Sequence, residues 1–187
     1  MKGDPVYYFP ETIELLTSIK RDSTVFVETG TCGGQTVKAA SLAGFEKIYS
    51  MEIDEEQYNK TRIIFQDANE PLDTQIFLYL GDSRVVLPKI LKLIPEDYPS
   101  IFFIDAHSHI HGVAAYEELA IIKTHCFKSH TILVDDIPLY FGDCSLLKKY
   151  LLDINPDYKF ELLDCEIRKK YPTGLLSGFD MRMLAYI

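Results

Sequence analysis

The chain has 187 residues, of which 47% are hydrophobic and 25% charged, the proportions of one globular domain long enough to bury a sizeable core. Its formal net charge of −9 and pI of about 5.0 set a repulsive average field against polymer phosphate, so a nucleic-acid partner is not expected. No apolar stretch approaches the roughly eighteen residues of a membrane span, and "MKGDPVYYFPE" lacks the apolar core of an export signal.

In chain order, "VYYFPETIELLTSIKRD" reads as a helix packing on the sheet. "STVFVETG" is a buried strand ending at Glu28, and "GGQTVKAASLAG" a helix stopped by Gly44. "KIYSMEID" is a second strand, and "EEQYNKTRIIFQDA" a second helix of this alternation with acids in its first turn. "TQIFLYLGDS" gives a third strand and "SRVVLPKILKLI" a helical stretch with Pro88 in its first turns or at a kink. "SIFFIDAH", "VAAYEELAIIKTH" and "HTILVDDI" supply a fourth strand, a helix and a fifth strand. The strands are continuous apolar runs, as expected when helices cover both faces of a parallel sheet. After the helix "CSLLKKYLLDI", the strands "YKFELLDCEI" and "GFDMRMLAYI" have no room between them for a crossover helix, so they pair as an antiparallel hairpin. The expectation is a single α/β domain over 1–187: a doubly wound Rossmann-like sheet of five parallel strands plus that hairpin, seven strands in all. The basic strip Arg168-Lys169-Lys170 falls at the hairpin tip and reads as solvated. Cys32, Cys126, Cys144 and Cys165 form no C-x-x-C pair, which argues against a structural zinc or a disulfide framework and for a reducing, cytoplasmic setting.

Ligands of such sheets bind outside the carboxyl ends of the strands. The first strand ends in "ETGTCGGQT", where Gly30, Gly33 and Gly34 let backbone approach a ligand closely and the next helix offers free N–H groups. Glu52 closes the second strand, placed to accept the hydroxyls of a ribose, while Asp54 starts the following helix as its cap. Asp82 and Ser83 after the third strand meet an adenine edge or cap the next helix. The fourth strand delivers Asp105 and the fifth Asp135 and Asp136. Three converging carboxylates repel one another unless protonated or bound to a cation, and hard oxygen ligands suit Mg²⁺. Helix capping or pairing with a lysine is the other reading of Asp135 and Asp136.

The succession "VFVETGTCGGQT", "IYSMEID", "GDSRVVLPKIL", "IFFIDAH", "ILVDDI" resembles class I S-adenosylmethionine-dependent methyltransferases, and within them the small catechol-type O-methyltransferases, over roughly residues 24–137. The resemblance divides the domain into an N-terminal helical segment (1–22), donor-binding βα units (23–137), and a helix with the antiparallel hairpin (138–187). It implies S-adenosylmethionine as methyl donor and a small-molecule acceptor. Glu28 with Gly30, Thr31, Gly33, Gly34 and Thr36 would form the donor's glycine turn, Glu52 would hold its ribose, and Asp82 and Ser83 would border its adenine. It also implies Mg²⁺ on Asp105, Asp135 and Asp136. Two departures stand out: Asp136 replaces the usual Asn, and Ser108 stands where the family's general-base lysine would be. His107 or His109 would have to take that role, with Asp105 beside them. A homodimer is an open alternative for its partners.

"DAHSHIH" also admits a metal-dependent hydrolase built on His107, His109 and His111. Hydrolase barrels of that kind need about 250 residues and carry the motif on their first strand. A nicotinamide dehydrogenase would need a second half-sheet or a substrate domain. A non-catalytic S-adenosylmethionine-binding protein is the remaining alternative, and the missing lysine favours it.

Overall fold

The computed structural model describes residues 10–67, 74–108, 112–164 and 181–187. The chain-order alternation forms as expected. Helix α1 (Pro10–Lys20) precedes β1 (Val25–Thr29), followed by α2 (Gln35–Leu42), β2 (Lys47–Glu52), α3 (Glu55–Asp67), β3 (Gln75–Leu80), α4 (Ser83–Leu91) and β4 (Ser100–Ile104). A small antiparallel pair, β5 (His107–Ser108) with β6 (Gly112–Val113), comes next. Then come α5 (Ala115–Ile122), β7 (Thr131–Val134), the single turn α6 (Ile137–Tyr140), α7 (Ser145–Ile154), β8 (Lys159–Asp164) and β9 (Met181–Tyr186).

The main sheet has seven strands in the order β3-β2-β1-β4-β7-β9-β8. The first five are mutually parallel, whereas β9 inserts antiparallel between β7 and β8. Because side chains alternate across a strand, an apolar run such as Val25-Phe26-Val27 feeds two cores at once. Val25 and Val27 face the layer that holds α4, α5 and α7, and Phe26 faces the layer that holds α1 and α2. In the second layer Phe26 meets Phe45 at 5.4 Å and Phe103 at 6.5 Å between ring centroids. This is the doubly wound sheet expected from the sequence. β3 differs from its neighbours: it lies at the sheet edge, and its residues are half-buried or exposed.

The helix starts follow the capping residues. Asp54 accepts the Gln57 N–H at 2.8 Å and starts α3; Asp82 accepts the Arg84 N–H at 2.9 Å and starts α4. Gly44, at φ 81°, terminates α2 in the left-handed conformation that glycine adopts without strain. Pro88 lies inside α4, six residues into the helix. Arg168, Lys169, Lys170 and Cys165 fall outside the described residues, and none of the described helices is long and apolar enough to cross a membrane.

Candidate active site

At the carboxyl edge, β1 runs into a tight turn that folds over the end of β2. Gly30 and Thr31 both donate their N–H groups to the Met51 carbonyl, at 2.9 and 3.1 Å. Gly30, at φ 83°, lies so close to the next strand that a Cβ there would stand 2.8 Å from the Asp105 carbonyl oxygen. Gly34, at φ 77°, would collide with the Phe65 ring at 2.7 Å. The turn therefore needs these glycines for its own packing.

Glu52 anchors the turn. Its carboxylate accepts the Cys32 N–H at 2.8 Å and the Asp54 N–H at 2.9 Å, one on each oxygen. The carboxylate is thereby oriented, with lone pairs remaining for a ligand. Beneath it, Glu28 is buried and takes a 2.6 Å hydrogen bond from Ser50, which also pairs with Thr31 at 2.6 Å. Burial raises the Glu28 pKa well above the usual carboxyl range, against the hydrogen bonds from Ser50 and Thr36. Glu28, Thr31 and Thr36 are thus joined under the turn.

A cavity of about 510 Å³ opens beside the turn, within the usual size range of small-molecule sites. Of the residues that the sequence singled out, Gly30, Glu52, Asp82, Ser83, Asp105 and His107 line it. Glu28, Thr31, Gly33, Gly34, Thr36, Asp135 and Asp136 do not. Asp82 combines both of its expected roles: it caps α4, forms an ion pair with Arg84 at 2.6 Å, and still borders the cavity. Four acids line the cavity, Glu52, Asp54, Asp82 and Asp105, against two bases, Arg84 and His107. That balance suits a ligand carrying positive charge. A second groove of about 470 Å³ between α3 and β3 has no acid in its lining.

Below Ala106 lies a residue that the sequence pattern did not single out. Glu118 of α5 is fully buried; its Oε2 accepts the Thr29 hydroxyl at 3.1 Å and its Oε1 has no partner. The Thr29 oxygen in turn accepts the N–H groups of Asp105 at 3.1 Å and Ala106 at 3.3 Å. Burial pushes the Glu118 pKa up to about 7, an effect that the nearby Ser83 and Thr29 hydroxyls partly offset. The signal was present: on α5 the buried stripe is Ala115, Glu118, Leu119, Ile122, a carboxyl on the apolar spacing of an amphipathic helix.

The acids of β4 and β7 divide into two groups. His107 stands between Asp105 and Asp136, its Nδ1 3.5 Å from Asp105 Oδ1 and its Nε2 3.2 Å from Asp136 Oδ2. The Tyr140 ring lies 5.1 Å from the imidazole. Asp135 is held elsewhere: its Oδ1 accepts the Asp136 N–H at 2.8 Å and its Oδ2 the Arg182 Nε–H at 3.1 Å. The ligand atoms of Asp105, His107 and Asp136 lie within 4.8 Å of one another, a group that Asp135 does not join. The hydrogen bond to Asp105, followed by the charges of Asp105 and Asp136, raises the His107 pKa to about 9, so near pH 7 the imidazole is protonated. Burial, with the nearby Asp135 and Asp136 charges, raises Asp105 to about 6 while the imidazole pulls it down. Two carboxylates around an imidazolium already form a cation site, with the proton as its occupant. His109 and His111 lie outside the described residues.

No protein-family model and no curated protein sequence matches this chain. Solved structures do. An O-methyltransferase from Bacillus cereus in complex with S-adenosylhomocysteine superposes with a TM-score of 0.68 at 16% identity, covering 96% of this chain and 81% of that one. The O-methyltransferase TomG from Streptomyces achromogenes, in complex with S-adenosylmethionine, gives 0.66 at 15% identity over 95% and 79%. A tRNA (m1A58) methyltransferase from Aquifex aeolicus gives 0.60 at 11% identity over 100% and 72%. The strand order, the antiparallel penultimate position of β9 and these superpositions agree: the chain has the fold of the class I S-adenosylmethionine-dependent methyltransferases.

Proposed function

We propose that the protein is an S-adenosylmethionine-dependent methyltransferase acting on a hydroxyl oxygen of a small molecule. The observation that carries this reading is the acid-lined cavity at the carboxyl edge, which runs from Gly30 and Glu52 to Asp105 and His107. Its volume and lining fit the donor: a glycine turn for close approach, a preoriented carboxylate at Glu52 for a diol, and negative charge for a sulfonium. When bound, the donor supplies a methyl group on a cationic sulfur, whose charge is lost on transfer. The chain's own part is to align the two reactants and exclude water from between them. Ala106, His107 and Ala114 wall the side of the cavity toward Asp105, brought there by the fold-back of β5 on β6.

Asp105, His107 and Asp136 would hold a divalent cation, and such an ion lowers the pKa of a bound hydroxyl and fixes its oxygen. Deprotonation assisted in that way does not require the lysine that Ser108 replaces. Asp135, the further acid that the resemblance implies as a Mg²⁺ ligand, would have to leave Arg182 to take part. Without a cation, His107 acts as a base only from its neutral form, which predominates above pH 9. The net charge of −9 favours a small acceptor over RNA, although the fold serves a tRNA methyltransferase elsewhere. Cys32, Cys126 and Cys144 are free thiols, in keeping with a cytoplasmic setting.

The test is formation of S-adenosylhomocysteine from S-adenosylmethionine with a panel of catechols and other small hydroxylated acceptors, with and without divalent ions. Turnover dependent on acceptor is expected. Donor binding without turnover on any acceptor supports the second reading, a non-catalytic donor-binding protein, which the protonated state of His107 and the serine at 108 favour. No donor binding would refute both.

A further inference from the structure

Two side chains that do not touch the cavity hold one of its walls. Asp105, Ala106 and Ala114 line the cavity, whereas Thr29 and Glu118 are fully buried and do not. Thr29 ends β1, in register with Ile104 at the end of β4. Gly30 then turns the chain toward β2, and the Thr29 side chain takes the backbone that follows β4. Its oxygen accepts the Asp105 N–H at 3.1 Å and the Ala106 N–H at 3.3 Å, while its hydroxyl donates to Glu118 Oε2 at 3.1 Å. Both lone pairs and the proton are thereby used, so the hydroxyl has one orientation. The circuit closes through the backbone: the Ala106 carbonyl accepts the Ala114 N–H at 3.3 Å, and the Ala114 carbonyl accepts the Glu118 N–H at 3.0 Å. The wall it holds rests directly on the glycine turn. A Cβ on Gly30 would stand 2.8 Å from the Asp105 carbonyl oxygen and 3.3 Å from the Ala106 Cα.

Packing alone does not account for Glu118. It shares the buried stripe of α5 with Ala115, Leu119 and Ile122, and its Oε1 makes no hydrogen bond among the described residues. A leucine would fill that stripe without taking a carboxyl out of water. We propose that Thr29 and Glu118 are positioning residues of the donor site, which fix the Asp105–Ala106 wall against the Gly30 turn and thereby set the affinity for the donor. A wall held in place before the ligand arrives spares binding the cost of ordering it. The inference rests on the proposed function for the identity of the ligand; the circuit itself stands on geometry.

The experiment is calorimetric titration with S-adenosylmethionine of wild type, Thr29→Val, Thr29→Ser, Glu118→Leu and Glu118→Gln. Valine keeps the volume but removes the acceptor of two N–H groups, and leucine keeps the apolar packing but removes the acceptor of the Thr29 hydroxyl. Serine and glutamine restore the respective oxygens. Thr29→Val and Glu118→Leu should each weaken the donor by about tenfold or more, whereas Thr29→Ser and Glu118→Gln stay within about threefold of wild type. Affinity unchanged in the valine and leucine variants overturns the proposal, as does an equal loss in the serine and glutamine variants. Should circular dichroism show that the valine and leucine variants fail to fold, hydrogen exchange of wild type decides. The Asp105 and Ala106 amides should then exchange slowly in the free protein and about tenfold more slowly with donor bound; rapid exchange, or exchange indifferent to the donor, overturns the proposal. Absence of donor binding to wild type sinks the proposed function and the positioning with it. Donor binding indifferent to Thr29→Val and Glu118→Leu sinks the positioning alone.

Discussion

Replacement of Glu118 by glutamine tests whether the buried carboxyl under the cavity is held neutral. Its pKa is pushed from 4.5 up to about 7, chiefly by burial, and the residue is fully enclosed. A carboxyl raised in this way holds its proton longer in the folded state than in the unfolded chain. The stability this confers is complete below the unfolded pKa of 4.5 and is lost as pH rises through 7. Over the full range the loss is about 3 kcal/mol, and about 2 kcal/mol of it falls between pH 5.5 and 8.5. Glu118→Gln keeps the volume and an oxygen for the Thr29 hydroxyl but cannot ionise. Asp105 and Glu28, raised by burial as well, add losses of the same sign in both proteins, so the difference between variant and wild type is the informative quantity. Urea unfolding at pH 5.5 and 8.5 should show wild type losing about 2 kcal/mol more than the variant across that window. Equal losses would mean that Glu118 titrates as an ordinary carboxyl and that the Glu118–Thr29–Asp105 linkage does not shape the cavity floor.

Three further outcomes rest on single contacts. Glu52→Ala removes a carboxylate whose charge-assisted hydrogen bonds are worth about 1.5–3 kcal/mol each, so calorimetry should show donor affinity down by about tenfold or more with the fold intact; an unchanged dissociation constant would take Glu52 out of the site. Gly34→Ala forces a side chain into φ 77° against the Phe65 ring and should cost about 1–3 kcal/mol or more, read as a fall of several degrees in Tm; an unshifted Tm would mean the turn relaxes freely. Tyr158→Phe strips the donor from the His130 carbonyl at 2.6 Å and the Lys128 carbonyl at 3.1 Å, and urea unfolding should register a loss of about 1–3 kcal/mol; no loss would mean that water replaces the hydroxyl.

Much of the architecture was legible because buried parallel strands write themselves as apolar runs. Val25-Phe26-Val27 and Ile101-Phe102-Phe103-Ile104 each supply both faces of the sheet, and the short link between the last two strands already implied an antiparallel pair. Short elements were not legible. The two-residue strands β5 and β6 and the four-residue α6 carry no periodicity, so the sequence named none of them as a separate element. The half-exposed β3 is apolar like its buried neighbours, because edge position is a property of the sheet and not of the strand. At the site, local signals carried: Glu52 and Asp105 stand at strand ends, and both line the cavity. Asp135 shows the opposite case. Its partner, Arg182, is 47 positions away on a strand whose register only the folded sheet sets, so proximity in sequence put Asp135 with Asp136 while the fold put it with Arg182. Thr29 was passed over because a threonine at a strand end has several uses, and only the buried Glu118 on α5 gives it one here.

The most direct test of the central claim is calorimetric titration of the metal-free protein with S-adenosylmethionine, wild type beside Glu52→Ala. One equivalent of donor binding to wild type, weakened about tenfold or more in the variant, is the expected result. Absence of binding to wild type, or equal binding to both, would contradict the placement of the donor between the Gly30 turn and Glu52.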